Sequence, residues 1–289
     1  MGNLQEFGGD WTTKKLQILE DYLKAYKIAL KHQPFNLVYV DAFAGTGYRQ
    51  TKKRSKEQSL FTEFFEDDIE TFHAGSARIA LEIPDKFDEY IFVEKDSKKV
   101  EGLLKLKIEA DDTNIRIIND DANSFLIEFC ETLNRKTRAV IFLDPFAMNV
   151  PWDTIKTIAK TEAIDLWYLF PLSAVNRLLK NNPHSIPHTW RLKLNEIFGC
   201  THWYDQFYQT ETVHSLFGND EQVNKKAETD KISKFLVNRL KTEFCGVAKN
   251  PRVLKNSKNS PLFLLCFAAS NPKGAKIANN IAQHILKNI

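Results

Sequence analysis

Four apolar runs in the first half of the chain each end in an acid: VYVD at 38–41, IFVE at 91–94, RIINDD at 116–121 and IFLD at 141–144. A fifth run, AIDLWYLFP at 163–171, is equally apolar. Strands that show so little polar alternation are buried on both faces, and helical segments between them predict a parallel sheet covered by helices on each side. A parallel sheet puts the ends of all its strands on one edge. Asp41, Glu94, Asp121 and Asp144 are therefore expected along a single edge, which chance explains poorly.

The segments around these strands fix the rest of the order. TTKKLQILEDYLKAYKIALKHQ repeats Leu16, Leu19, Leu23 and Leu30 on one face, widened by Ile18, Tyr22 and Ala29, which is a helical period ahead of the first strand. Helices are expected from about Gly75 and over 96–110, 122–133, 151–160 and 172–180. Residues 181–219 break the rhythm and carry Trp190, Phe198, Trp203, Tyr204, Phe207, Tyr208 and Phe217, which read as a helical, aromatic-rich insertion. A polar helix over 220–242 follows, then two β-like runs, FCGVAKNPRVL and PLFLLCFAAS, joined by the turn-forming KNSKNS. In the last helix Asn271 caps, Pro272 takes the first position, and Ile277, Ile281 and Ile285 form a stripe. Five βα units and a hairpin define an α/β, doubly wound, Rossmann-like sheet in the class I methyltransferase order, mostly parallel with a C-terminal antiparallel hairpin. The domain comprises 1–180 and 220–289, with 181–219 inserted.

Ligands of a doubly wound sheet sit beyond the C-terminal ends of its strands, beside the first one. DAFAGTG at 41–47 lies there, and Gly45 and Gly47 permit close backbone approach, with Phe43 between the strand and the turn. A dinucleotide fingerprint needs a third glycine, where this chain has Gln50. Asp41 would repel a pyrophosphate but suits the ammonium of S-adenosylmethionine (SAM). Glu94 is placed for two ribose hydroxyls, and Asp121 for an adenine amino group, with Ala122 leaving room for the ring. Each acid alone is more often a solvated turn residue than a ligand.

LDPF at 143–146 resembles the Asp/Asn-Pro-Pro-aromatic turn of enzymes that methylate exocyclic amino groups. In that role Asp144 and the Pro145 carbonyl accept the amino hydrogens while Phe146 stacks on an extruded base. The alternative is a capped turn whose ring belongs to the core. After the Gly turn, the basic run with Arg49, Lys52, Lys53, Arg54 and Lys56 leaves from the ligand edge and suits DNA or RNA phosphates, although solvated loops are the default for such runs.

A formal net charge of +3 is too small to argue for nucleic acid by itself. Cys130, Cys200, Cys245 and Cys266 form no CxxC pair, so neither a zinc site nor a disulfide framework is expected, and a reducing cytoplasm fits. No apolar stretch approaches the length of a membrane span, and the N-terminus has no signal-peptide core. HExxH, GxSxG and P-loop patterns are missing, which removes metalloprotease, serine-hydrolase and P-loop kinase readings.

WTTKKLQILEDYLKAY, YVDAFAGTG, AGSARIALEI, FVEKD, LDPF, IDLWYLFPLSAVNRLL, WRLKLNEIFG and the segment from LKTEFCGVAKNPRVL to NPKG resemble the three-Cys-motif partner (TcmP) family, through almost the whole chain. The resemblance implies a SAM-dependent methyltransferase fold. It also implies a partner carrying a three-cysteine motif, of radical-SAM-like type. It supports Asp41, Gly45, Gly47, Glu94, Asp121 and Asp144 as site positions. Ala147 stands where the family usually has glycine.

Overall fold

The computed structural model describes residues 10–46, 75–110, 114–145, 148–215 and 218–289, without the side chains of 10 and 210–222. The chain opens with α1 (Asp10–Leu30) and continues as β1 (Asn36–Asp41), α2 (Ser76–Glu82), β2 (Glu89–Val93), α3 (Ser97–Ala110), β3 (Ile115–Ile118), α4 (Ala122–Glu131), β4 (Thr137–Leu143), α5 (Trp152–Lys160), β5 (Ile164–Phe170) and α6 (Leu172–Leu178). The insertion follows with α7 (His188–Phe198), α8 (Trp203–Phe207) and a hairpin of β6 (Tyr208–Ser215) and β7 (Gly218–Lys225). The chain returns through α9 (Thr229–Glu243), β8 (Gly246–Val247), β9 (Arg252–Lys255), β10 (Pro261–Ala269) and α10 (Ala275–Asn288).

The main sheet has the order β3-β2-β1-β4-β5-β10-β8, with β9 also paired to β10. The pairs among β1 to β5 are parallel, and β10 runs antiparallel to β5, β8 and β9. β8 and β9 thus share one edge, interrupted by a segment that holds Pro251, which has no N–H to donate. The switch point lies between β1 and β4, where the order reverses.

Both faces of the sheet are covered, as the apolar runs require. All seven residues of β5 are buried. Trp167 meets Tyr22 of α1 edge-on at 5.2 Å, while Phe170, three residues on and so on the other face, meets Phe198 of α7 at 5.9 Å. α1 is held by Trp11, Leu16, Ile18, Leu19, Tyr22, Leu23 and Tyr26, all buried, but Ala29, expected on that stripe, is exposed. On α10 the apolar stripe turns differently from expectation. Ile277 is 61% exposed, whereas Ala282, Ile285 and Leu286 are buried. Asn271 accepts from the amides of Lys273 and Gly274, so its cap precedes the helix, which starts only at Ala275.

The insertion is not wholly helical: after α8 the chain runs into an eight-rung antiparallel pairing from Tyr208↔Lys225 to Ser215↔Gly218. The helix expected from 220 consequently begins at Thr229. Nor do its rings form a separate core. Phe198, Trp203, Phe207 and Tyr208 are buried, and Phe198 meets Phe235 of α9 at 5.1 Å. Gly199 ends α7 at φ +63, and a Cβ there would lie 2.2 Å from the buried Trp152 ring of α5. Gly199→Ala adds both left-handed strain and this collision, and is expected to cost about 2 kcal/mol or more of stability in urea unfolding. A change within about 0.5 kcal/mol, the range of an ordinary surface substitution, would show that the insertion is not tied down there.

Candidate functional site

β1 ends in Asp41 and the chain turns at once. Ala42 donates to the Phe142 carbonyl of β4 at 3.1 Å, and Ala44 to the Val93 carbonyl of β2 at 2.9 Å, so the turn is fastened to both neighbouring strands. Gly45 has φ +61, a left-handed value suited to glycine, and its amide donates to Glu94 Oε2 at 3.0 Å. The other Glu94 oxygen accepts from the Asp96 amide at 2.8 Å. α3 lies so near this turn that a Cβ on Gly102 would stand 2.5 Å from the Thr46 carbonyl.

Beyond this edge lies a cavity of about 410 Å³ whose walls include Phe43, Glu94, Asp121 and Ala122. Of the four strand-end acids, Glu94 and Asp121 line this cavity, together with Phe43 and Ala122. Asp121 also caps α4, with Oδ1 accepting from the amides of Asn123 and Ser124, and its Oδ2 lies 3.4 Å from Lys95 Nζ. Partial burial opposes its charge, but the Ser124 amide, Lys95 and the Asn123 amide outweigh this and hold the carboxyl below its ordinary value.

Two further elements complete the wall. Asn123 donates to the Asn149 carbonyl at 2.8 Å and ties the loop after β4 to α4. Lys193 and Glu196 of α7, paired at 2.8 Å, also line the cavity, so the insertion closes one side of it.

Asp41 and Asp144 stand elsewhere. Neither lines the cavity, and they are 0% and 3% exposed. Asp144 is paired with Lys15 of α1, itself 0% exposed, with Nζ 2.7 Å from Asp144 Oδ2 and 5.1 Å from the Phe142 ring centroid. Asp41, expected to face a ligand's ammonium, is therefore beneath the turn, and the cation acting on it belongs to the protein. Lys15 sits on an α1 stripe that is otherwise apolar. The signal in the sequence is a lysine four residues after Trp11 and four before Leu19, at the spacing of the buried face.

Burial pushes Lys15 down to about 8, against the attraction and hydrogen bond of Asp144 and the attraction of Asp41. Burial likewise lifts Asp41 from 3.8 to about 7. Ser76 offsets part of that rise, Asp144 adds to it, and Lys15 and the Phe43 amide again oppose it. Asp41 Oδ2 has no hydrogen-bond partner. Two carboxyls and one ammonium thus share a buried volume, and Asp41 carries the mismatch.

Pro145 is buried beside Asp144. Gly47, Phe146, and the basic residues Arg49, Lys52, Lys53, Arg54 and Lys56 fall outside the described residues. Among the described residues no cluster of three or more His, Cys, Asp or Glu is arranged to hold a metal ion, and no helix is long and apolar enough to cross a membrane.

The strand order, the single antiparallel strand β10 and the Gly turn at the switch point define a doubly wound fold of the class I methyltransferase type. We found no match to a protein-family model or to a curated protein. Solved structures similar to the chain include a protein from Legionella pneumophila str. Philadelphia 1, at 16% identity over 81% of this chain and 93% of that one, TM-score 0.43. A putative methyltransferase from Escherichia coli is 14% identical over 72% and 86%, TM-score 0.31. An S-adenosylmethionine-dependent methyltransferase from Clostridium acetobutylicum ATCC 824 is 11% identical over 87% and 91%, TM-score 0.36.

The sign of the Asp41 effect is testable. With a folded value near 7 and an unfolded one near 3.8, the folded state keeps a proton that the unfolded state has lost, so this group lowers stability as pH rises from about 4 to 7. Asp41→Asn is expected to be more stable than wild type above pH 7, by an amount on the order of 1–4 kcal/mol, with the difference fading by about pH 4. Equal stability at pH 8 would mean that the buried charge is not a cost.

Proposed function

We propose that the protein is a SAM-dependent methyltransferase, with the exocyclic amino group of a nucleobase in DNA or RNA as acceptor. The observation that carries this reading is the cavity beside the Gly turn, lined by Phe43, Glu94, Asp121 and Ala122. Its volume of about 410 Å³ is in the usual range for a small-molecule site.

The donor set fits the cofactor. A carboxylate offers about four lone-pair positions, and Glu94 spends two on the amides of Gly45 and Asp96, which lock its plane and leave acceptors for a pair of ribose hydroxyls. Asp121 is fixed by its capping role and keeps Oδ2 toward Lys95, an arrangement able to take an amino hydrogen from an adenine. Ala122 adds a small apolar wall. SAM supplies a methyl group on a sulfonium sulfur, which an amine nucleophile attacks in line.

On the acceptor side, Asp144 and Pro145, followed in sequence by Phe146, would hold the amino group. Lys15, with Nζ 2.7 Å from Asp144 Oδ2, fixes the direction of that carboxyl, which in this reading orients the amino group as a hydrogen-bond acceptor. Arg49, Lys52, Lys53, Arg54 and Lys56 follow the Gly turn in sequence and suit a phosphate backbone.

One observation favours a second reading, a methyltransferase-like scaffold that binds a three-cysteine-motif protein: Asp144 is 3% exposed and committed to Lys15. The two readings separate on transfer. With SAM labelled in its methyl group and single-stranded DNA and RNA as acceptors, wild type should label nucleic acid. Asp144→Asn, which keeps the shape of the side chain, should lose at least about a hundredfold in rate, while SAM affinity stays within about tenfold, or roughly 1.4 kcal/mol. Undiminished transfer by Asp144→Asn removes the residue from the mechanism. Absence of transfer by wild type that binds SAM moves the scaffold reading to first place.

A further inference from the structure

At the opposite edge of the sheet, where β5 begins, lies a second cavity of about 380 Å³ between α1 and α10. Tyr22 and Tyr26 of α1, Phe35 before β1 and Ile277 and Ile281 of α10 give it an aromatic and aliphatic lining, and Asp165 of β5 is part of its wall. β5 runs seven residues from Ile164 to Phe170, so this cavity and the cofactor edge are separated by about 20 Å of strand.

Asp165 is the feature that packing does not explain. It is 8% exposed and sits at the second position of a strand that is otherwise apolar except for the Tyr168 hydroxyl. Its Oδ2 accepts from the Tyr22 hydroxyl at 2.6 Å, and no ion pair to it is formed among the described residues. Burial pushes its carboxyl up to about 7, with the Tyr22 hydrogen bond offsetting only part of the rise. Two cations also line the cavity wall, and neither forms an ion pair with Asp165 among the described residues. Arg138 lies 4.0 Å over the Phe35 ring and donates through Nη1 to the carbonyls of Arg135 and Thr137, while its buried Nε has no hydrogen-bond partner, and Lys273 is exposed ahead of α10. A buried carboxylate without a cation is unfavourable unless something else supplies the charge.

We propose that this cavity is a second binding site, for a small organic cation with an aromatic or apolar body, whose ammonium meets Asp165 and whose body lies against Tyr22, Tyr26 and the isoleucines of α10. The ammonium donates to Asp165, whose direction Tyr22 already fixes, and the neighbouring tyrosine rings offer π faces to the same charge. The neutral body replaces water against the apolar wall, including the Ile277 side chain that α10 leaves exposed. This site does not depend on the assignment of the cofactor edge.

The test is calorimetric titration of the full chain at pH 7.5 with 2-phenylethylamine, with the neutral 2-phenylethanol and the anionic phenylacetate as controls. The amine is expected to bind with a Kd of about 1 mM or tighter and at least tenfold better than either control. Asp165→Asn, which preserves size and the acceptor for Tyr22, should abolish that preference. Ala278→Phe, which fills the cavity from α10, should abolish binding of the amine altogether and covers the case in which the Asp165 variant does not fold. Equal binding of amine and alcohol, a preference that survives Asp165→Asn, or no amine binding up to about 10 mM would each overturn the proposal.

Discussion

The contact on which the rest of the molecule depends is the buried pair between Lys15 and Asp144. It ties the first helix to the end of β4, 129 positions later in sequence, at the point where the sheet order reverses. Neither charge is solvated, so neither tolerates loss of the other, and removing one member of such a pair leaves an uncompensated charge that costs several kcal/mol. The apolar contacts of α1 are tolerant of local slippage; an ammonium that must meet one carboxylate is not. The pair thereby sets the register of α1 on the sheet, and with it the positions of Tyr22 and Tyr26 at the far edge.

That register has consequences at both ends of the sheet. At the C-terminal edge, Lys15 occupies the space beneath the Gly turn, and the cavity above it is left to Phe43, Glu94, Asp121 and Ala122. Asp41 lies buried outside the cavity wall, with its carboxyl raised to about 7 by burial. At the N-terminal edge, the same helix brings the Tyr22 hydroxyl to Asp165, giving a second buried carboxyl with a raised value but no ammonium of its own. One helix thus carries the counter-charge for one buried acid and only a hydrogen bond for the other.

Much of this was legible in the sequence. β-runs without alternation announce a sheet covered on both faces, and the acid at the end of each of four strands points to one edge, where Glu94 and Asp121 line a cavity while Asp41 and Asp144 do not. The failures have a common cause, which is that pattern reading sorts residues by polarity before it knows their neighbours. Lys15 was passed over because a lysine on an apolar stripe looks like an interruption, although burial beside two carboxylates gives it a partner. Asp41 was given a ligand because nothing in the local sequence shows that a helix 26 residues earlier delivers a cation to it. The β6–β7 hairpin was hidden by its polar composition: YQTETVHS and GNDEQVNK carry few of the apolar residues by which a buried strand is recognised, and the pair stands apart from the main sheet. The insertion's aromatics are not set apart from the main body: Phe198 reaches both β5 and α9 and makes the insertion part of the same interior.

The account stands on the claim that the cavity beside the Gly turn holds SAM, and calorimetric titration with SAM and S-adenosylhomocysteine tests it most directly. Wild type is expected to bind both with a Kd of about 1–100 µM, and Glu94→Ala, which removes the acceptor for the ribose hydroxyls, to weaken both by at least tenfold, or about 1.4 kcal/mol. A well-folded wild type that binds neither, or a Glu94→Ala variant that binds both unchanged, would contradict it.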